Sequence, residues 1–360
     1  MQPSPGTHSR TEELRRLARL CLRLLVFLTL VWGLQWELTR LAHLDRPSAF
    51  SPSLVALDRV RDDDVVYMGD SVLTNRGSKD KDLRLLPEML ATRLAPARLT
   101  AIAHPAFQPR FFEGVTSYLL RTGVRPRLLL VPINLRAFSP LWTECLSYQF
   151  SKEMALLGMG PGPGAALMRF RLAFKELPAP PPDLGPELLW SRAGFRALRA
   201  RYPALVAESP LGRYPGKTDF VRMYYLTELG PQHPYLRALA RLAENAHRAR
   251  VPVVFYVTPI DIESATEYLG PPFRAEVAAK VERFRATLSA TGADFVDLST
   301  AVAPADFMWR EEGAINEHLS ERGRVQVSRT LARHLRPRLA GQEQTPTPAE
   351  APRARVARQS

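Results

Sequence analysis

Three short stretches of this 360-residue chain carry residue types that together suit acyl transfer: Gly69-Asp70-Ser71, Pro132-Ile133-Asn134, and Asn316-Glu317-His318-Leu319-Ser320. A serine at a tight strand-to-helix turn presents its hydroxyl as a nucleophile and offers its own amide to a developing oxyanion. An asparagine at a strand end can donate from its carboxamide to the same oxyanion. A histidine on a loop before a helix can serve that serine as general base. Each also has a plain structural use, as an N-cap, an Asx-turn and a surface or capping imidazole respectively. Taken in the order Ser, Asn, His, they gain force only if the fold gathers them. Asp70 and Arg136 are the candidate substrate-binding residues beside them. Arg136 suits an anionic group, although Asp70 fits a turn and Arg136 a salt bridge equally well.

The surrounding pattern supplies the means to gather them. Residues 64–68, 98–103, 127–133, 251–257 and 294–298 are short apolar runs of strand length. Helical spacing occupies 83–94, 111–122, 235–249, 273–291 and 321–339. Such alternation predicts an α/β domain, a parallel sheet with helices on both faces. In open sheets of this kind ligands bind beyond the carboxyl ends of the strands, where Ser71 and Asn134 fall. Thr258-Pro259-Ile260-Asp261 follows the fourth strand and is expected on the same rim. Residues 151–231 interrupt the rhythm with Gly160-Pro-Gly-Pro-Gly164 and Pro178-Ala-Pro-Pro-Pro182, and read as an insertion over the sheet, a lid or partner surface.

Composition closes other doors. The chain carries 49 Lys and Arg against 36 Asp and Glu, a net charge of +13, yet the basic residues are dispersed among acidic ones. No dense basic stripe alternates with aromatics, so nucleic acid is not an expected partner. Two cysteines, Cys21 and Cys145, cannot staple a fold. The seven histidines are scattered without metal-ligand spacing, and no Gly-rich phosphate loop with its Lys occurs, so neither metal nor cofactor is expected. At the N-terminus, Arg10, Arg15, Arg16, Arg19 and Arg23 precede an uncharged apolar run from Leu24 to Leu34, with Trp36 at its edge. This pattern reads as a signal anchor, and no small-x-small cleavage site follows it. Arg19 and Arg23 can snorkel and lengthen a span that is otherwise short for a bilayer. By the positive-inside rule residues 1–45 form a cytoplasmic stub and anchor, and the domain at 46–340 faces outward, which is the periplasmic side if the cell is Gram-negative. Residues 341–360, rich in Gln, Pro, Thr and Arg, read as a solvated tail.

With these residues in place the chain resembles the SGNH/GDSL hydrolase superfamily, of flavodoxin-like α/β fold. The first block matches as Val66 to Val72, the Asn block as Val131 to Ser139 and the His block as Glu317 to Gly323. The likeness runs over roughly residues 60–340 without the insertion, and is nearest to membrane-anchored envelope members of the DltD and AlgX kind, which serve O-acylation of extracellular polymers. The resemblance implies Ser71 as nucleophile, His318 as base, and Asn134 with the Ser71 amide as oxyanion donors. Two positions depart from the family. Its second block supplies a Gly whose amide completes the oxyanion hole, and here His104-Pro-Ala-Phe-Gln108 offers Ala106 instead. Its Asp three residues before the His is Ile315 here, leaving Glu317, Glu312 or Asn316 to orient the imidazole.

The expected function is therefore a membrane-anchored serine esterase or O-acyltransferase working through an acyl-Ser71 intermediate on an extracytoplasmic envelope polysaccharide. Its expected partners are an acyl donor or acylated glycan and a membrane-bound acyltransferase. The alternative, supported by the two departures, is a catalytically weak protein that grips a glycan or docks an acyltransferase. The two readings part on whether Ser71 Oγ lies within hydrogen-bond reach of His318.

Overall fold

The computed structural model describes residues 7–41, 46–144, 146–160, 163–174, 221, 224–308 and 317–343. Five parallel strands, β1 (Val65–Gly69), β2 (Leu99–Ala103), β3 (Leu128–Ile133), β4 (Val253–Val257) and β5 (Asp294–Asp297), form one sheet in the order β2-β1-β3-β4-β5. This is the flavodoxin-like doubly wound order, and its direction of winding reverses between β1 and β3. Ser71 follows β1 and Asn134 follows β3, so the two lie on either side of the switch point.

The three inner strands β1, β3 and β4 are buried throughout and apolar on both faces because both faces are covered. Val66, Met68, Leu129, Val131, Val253 and Phe255 point into one core. That core is closed by α4 (Pro109–Arg121), α8 (Pro234–Arg248) and α10 (Pro272–Ser289). The alternate residues Val65, Tyr67, Leu128, Leu130, Val254 and Tyr256 face the other core, closed by α3 (Leu86–Leu94) and α11 (Glu321–Glu343). The result is a three-layer sandwich. Strand boundaries move by a residue or two from those expected. The clearest case is β4, which starts at Val253 because Pro252 has no N–H for the ladder, although its carbonyl accepts from the Leu129 amide at 2.9 Å.

Within the α3/α11 layer the Tyr67 and Tyr256 hydroxyls hydrogen-bond at 2.6 Å across β3, and burial pushes both phenols above their ordinary pKa. Tyr67→Phe, which leaves the Tyr256 hydroxyl buried and unpaired, is expected to cost about 1–3 kcal/mol in chemical denaturation. Replacing both tyrosines by Phe is expected to cost less than the single change.

The N-terminal helix α1 (Thr7–Leu41) is longer than the apolar run that announced it. Its stretch Arg15–Glu37, whose most apolar 18 residues have a mean hydropathy of 1.9, is long and apolar enough to cross a membrane, as an anchor or a signal sequence would be. The segment read as an insertion is in part structural. From α6 (Ser151–Gly158), Leu156 and Leu157 enter the core beside α4, as do Val221, Tyr224 and Tyr225 from the segment's other end. Residues 175–220 lie outside the described residues. So do residues 344–360, while α11 carries the fold three residues past the expected boundary at 340.

Candidate active site

Ser71 is the first residue of the short helix α2 (Ser71–Thr74), with Asp70 as its N-cap. Gly69 precedes it of necessity, since a Cβ there would lie 2.2 Å from the buried Leu73 side chain. Asp70 spends both carboxylate oxygens on the scaffold. Oδ1 accepts from the Val72 amide at 2.9 Å and Oδ2 from Asn134 Nδ2 at 2.8 Å. Buried and doubly engaged, Asp70 ties the β1 turn to the β3 turn, and its expected role in holding substrate does not fit this environment.

His318 lies on the segment that enters α11, held by the antiparallel Phe307–Leu319 bridge and by the Met308 amide, which donates to the His318 carbonyl at 2.9 Å. Its Nε2 lies 2.9 Å from Ser71 Oγ. Asn75 Nδ2 sits 3.1 Å from His318 Nδ1 and 3.2 Å from Nε2, near-equal distances that put the carboxamide across the ring. Asn75 follows Ser71 by one helical turn, and its amide donates to the Ser71 carbonyl at 2.9 Å. That four-residue spacing was the available sequence signal for it.

Glu317 does not orient the imidazole. Neighbouring residues in extended chain point to opposite sides, so while His318 faces Ser71, Glu317 turns into the interior and is fully buried. Its Oε1 accepts from the Tyr225 hydroxyl at 2.5 Å, and its Oε2 lies 3.3 Å from Arg136 Nε. Burial, with the Glu317 charge behind it, pushes the Tyr225 phenol well up. The other two candidates for the orienting role, Glu312 and Asn316, lie outside the described residues.

Arg136 completes the cluster. It is buried, its guanidinium lies over the Trp142 and Tyr224 rings at 4.9 and 5.6 Å, and Nη2 donates to Ser71 Oγ at 3.4 Å. Burial lowers its pKa, but the Glu317 carboxylate, the Tyr224 and Tyr225 phenols and Asp70 together outweigh that and hold it above the ordinary value. One ion pair thus links the segment that bears the base to the turn that follows β3. Asn134 spends its side-chain oxygen on the Arg136 amide at 3.1 Å and one N–H on Asp70, so a single N–H remains for an oxyanion.

Ala106 lies beyond β2, next to the end of β1, where the His104 amide donates to the Gly69 carbonyl at 3.3 Å. It adopts φ +66°, the left-handed conformation that glycine accepts without strain, and its amide has no partner among the described residues. Since a left-handed L-residue costs about 1–2 kcal/mol, Ala106→Gly is expected to hold or raise Tm with ester turnover kept. Ala106→Val is expected to lower Tm, since branching worsens the strain.

A second group missed in the sequence fixes the base from below. Arg324, fully buried on α11, donates to Asp80 Oδ2 at 2.6 Å and to the carbonyls of Leu319, Asp82 and Arg84 at 2.9 to 3.2 Å. Asp80 also accepts from the Glu321 amide at 2.9 Å, so the loop that begins at Asn75 is stapled to the start of α11. Burial raises the Asp80 pKa, but the Arg324 guanidinium and the Glu321 and Gly77 amides outweigh it and the net shift is downward. The unfolded carboxyl holds its proton up to about pH 3.9, so this stabilisation is complete above that value. It is lost as pH falls through the lower folded value. Acid titration by near-UV circular dichroism is expected to show Asp80→Asn flattening that loss below pH 4.

The expected rim residues are internal. Thr258 is buried, its amide donating to the Ile133 carbonyl at 3.1 Å, and Asp261 caps α9 (Ile262–Leu269) by accepting from the Ser264 amide at 3.1 Å. Among the described residues no group of three or more His, Cys, Asp or Glu could hold a metal ion.

The chain matches no protein-family model and no curated protein. Among solved structures it is similar to a catalytic mutant of an acetylxylan esterase from Geobacillus stearothermophilus, at 12% identity and TM-score 0.39 over 77% of this chain and 95% of the other. It is also similar to the carbohydrate acetylesterase Est24 from Sinorhizobium meliloti, at 9% identity and TM-score 0.35 over 76% and 98%. An aryl esterase of M. smegmatis aligns at 10% identity and TM-score 0.34 over 76% and 99%. Likeness at this level leaves the chemistry to be read from Ser71, His318 and Arg136 themselves.

Proposed function

We propose that this chain is a serine acyl-transfer enzyme of SGNH type that acts on ester bonds, held at a membrane by α1 and directed at an extracytoplasmic envelope polysaccharide. The single observation that carries the chemistry is the 2.9 Å contact between His318 Nε2 and Ser71 Oγ. His318 takes the Ser71 proton as Oγ attacks the acyl carbonyl, and the carbonyl oxygen becomes anionic. The Ser71 and Ala106 amides, the remaining Asn134 N–H and the Arg136 guanidinium are the donors available to that charge, which is where electrostatic catalysis acts most strongly. As the tetrahedral intermediate collapses, His318 returns the proton to the departing alcohol and leaves acyl-Ser71. A sugar hydroxyl or water, deprotonated by the same imidazole, then takes the acyl group.

The basic flank of α1 and its single apolar stretch support an outward-facing domain, for which a surface glycan is a more accessible acceptor than a soluble metabolite. A membrane-bound acyltransferase is the partner that suits such a placement. The test is ester turnover by the full chain in detergent on p-nitrophenyl acetate and on an O-acetylated polysaccharide, with and without added deacetylated oligosaccharide. Turnover lost in both Ser71→Ala and His318→Ala supports the reading, and acetyl appearing on the oligosaccharide identifies transfer. Glycan binding without turnover in the folded wild type would falsify it in favour of a binding protein.

A further inference from the structure

On α7 (Pro163–Phe174), Leu167, Met168 and Phe170 stand 52, 52 and 49% exposed on a helix whose other side is committed to the domain. On that inner side Leu172 packs on the main core, and the buried Arg169 donates from Nη2 to the Met159 and Gly160 carbonyls at 2.9 and 3.0 Å. Three adjacent large apolar side chains in water are a liability that soluble surfaces avoid. The same helix packs against α1 and against the turn Pro47–Phe50, which begins six residues after α1 ends. Six residues of chain reach at most about 20 Å, so the body cannot carry this turn far from the end of the apolar helix. Over Arg15–Glu37 of α1, Gln35 alone is partly buried, next to Trp36 at the level where an interfacial aromatic sits. Exposed arginines lie near the apolar patch, Arg171 on the same face of α7 and Arg46 at the head of the turn that packs on α7, 4.0 Å from Asp58, and such guanidinium groups suit lipid phosphates.

We propose that α7 is a membrane-seated foot: Leu167, Met168 and Phe170 enter the headgroup–acyl boundary of the bilayer that α1 crosses, and Arg46 and Arg171 lie at its phosphates. The occupant of this patch is lipid. The inference rests on the reading of α1 as an uncleaved anchor and adds to it a second, lateral contact that fixes how the domain sits. Helix α4 runs about 20 Å from Arg121, beside the basic groove next to α7, to its first turn close to Ala106. A foot at α7 therefore holds the candidate active site at a set stand-off from the lipid, within reach of a polymer.

The test uses the full chain in nanodiscs of phosphatidylethanolamine and phosphatidylglycerol, with Cys21 and Cys145 replaced by Ser and one nitroxide introduced at a time. The sites are Met168→Cys, Leu28→Cys in the apolar stretch and Leu83→Cys, which is exposed on the body far from α1 in sequence. Power-saturation EPR reads collisions with oxygen, which partitions into lipid, against those with a water-soluble nickel chelate. The expected oxygen-to-nickel ratio at Met168→Cys is several-fold above that at Leu83→Cys and approaches that at Leu28→Cys. A Met168→Cys ratio equal to that at Leu83→Cys, with Leu28→Cys still in lipid, overturns the foot and leaves the anchor standing. Protection of Met168→Cys from both reagents means a covering protein and overturns it too. Aqueous behaviour at Leu28→Cys overturns the anchor reading and the foot together.

Discussion

Ser71→Ala is expected to lower ester turnover by about 10⁴- to 10⁶-fold, and His318→Ala by a similar factor, with the double variant little worse than either. The reason is the shared event: Ser71 Oγ and His318 Nε2, 2.9 Å apart, make and break one O–H bond together. Removing either partner removes the step, so the two losses do not add. Both side chains are only partly buried, and neither closes a core gap. Tm is therefore expected to stay within a few degrees of wild type, so the loss is chemical. Steady-state kinetics on p-nitrophenyl acetate with a matched thermal melt measure both quantities. A Ser71→Ala protein with wild-type turnover would place the nucleophile elsewhere.

The second large effect concerns the Arg136–Glu317 pair. Its side chains are 8 and 0% exposed, so removing one partner leaves a charge buried without its counter-ion. Glu317→Ala is expected to cost about 3–5 kcal/mol in chemical denaturation, the usual penalty for such a break. Because Arg136 also donates to Ser71 Oγ, its replacement touches chemistry as well as stability. Arg136→Met with Glu317→Leu removes both charges and replaces them with apolar volume. This double variant is expected to recover much of the stability, as apolar replacement of buried pairs commonly does. It is not expected to recover kcat, which should remain about 10²-fold down, as for loss of an oxyanion donor. Recovery of both together would reduce Arg136 to a structural role.

Much of the architecture could be read in the chain because parallel strands buried on both faces are written as short apolar runs, as at 128–133 and 253–257. The strand order could not be read so directly, since β1 pairs with both β2 and β3 through contacts distant in sequence. Gly69-Asp70-Ser71 and His318 were visible because each interrupts an apolar or helical pattern with a residue able to do chemistry. Glu317 was visible as a carboxylate, but its direction depends on the extended backbone at the Phe307–Leu319 bridge, which pattern alone does not give. Asp70 and Asn134 illustrate the same limit, since their bond at 2.8 Å joins two strand ends 64 residues apart. Arg324 was hidden for another reason: α11 carries many arginines, and although this one shares the buried face of Val327 and Leu331, its partners Asp80, Asp82 and Arg84 lie at least 240 residues away in the chain. Ala106 shows a further limit, since a left-handed backbone at an alanine leaves no mark in the sequence.

The central claim is that Ser71 forms an acyl-enzyme. Intact-mass spectrometry of the full chain in detergent, quenched in acid within seconds of mixing with an activated acetyl ester, tests it most directly. One added acetyl group is expected, mapped to Ser71 by peptide fragmentation, absent from Ser71→Ala and slowed by orders of magnitude in His318→Ala. Acetyl found on other residues only, or an unmodified folded wild type that releases no acetate, would contradict it.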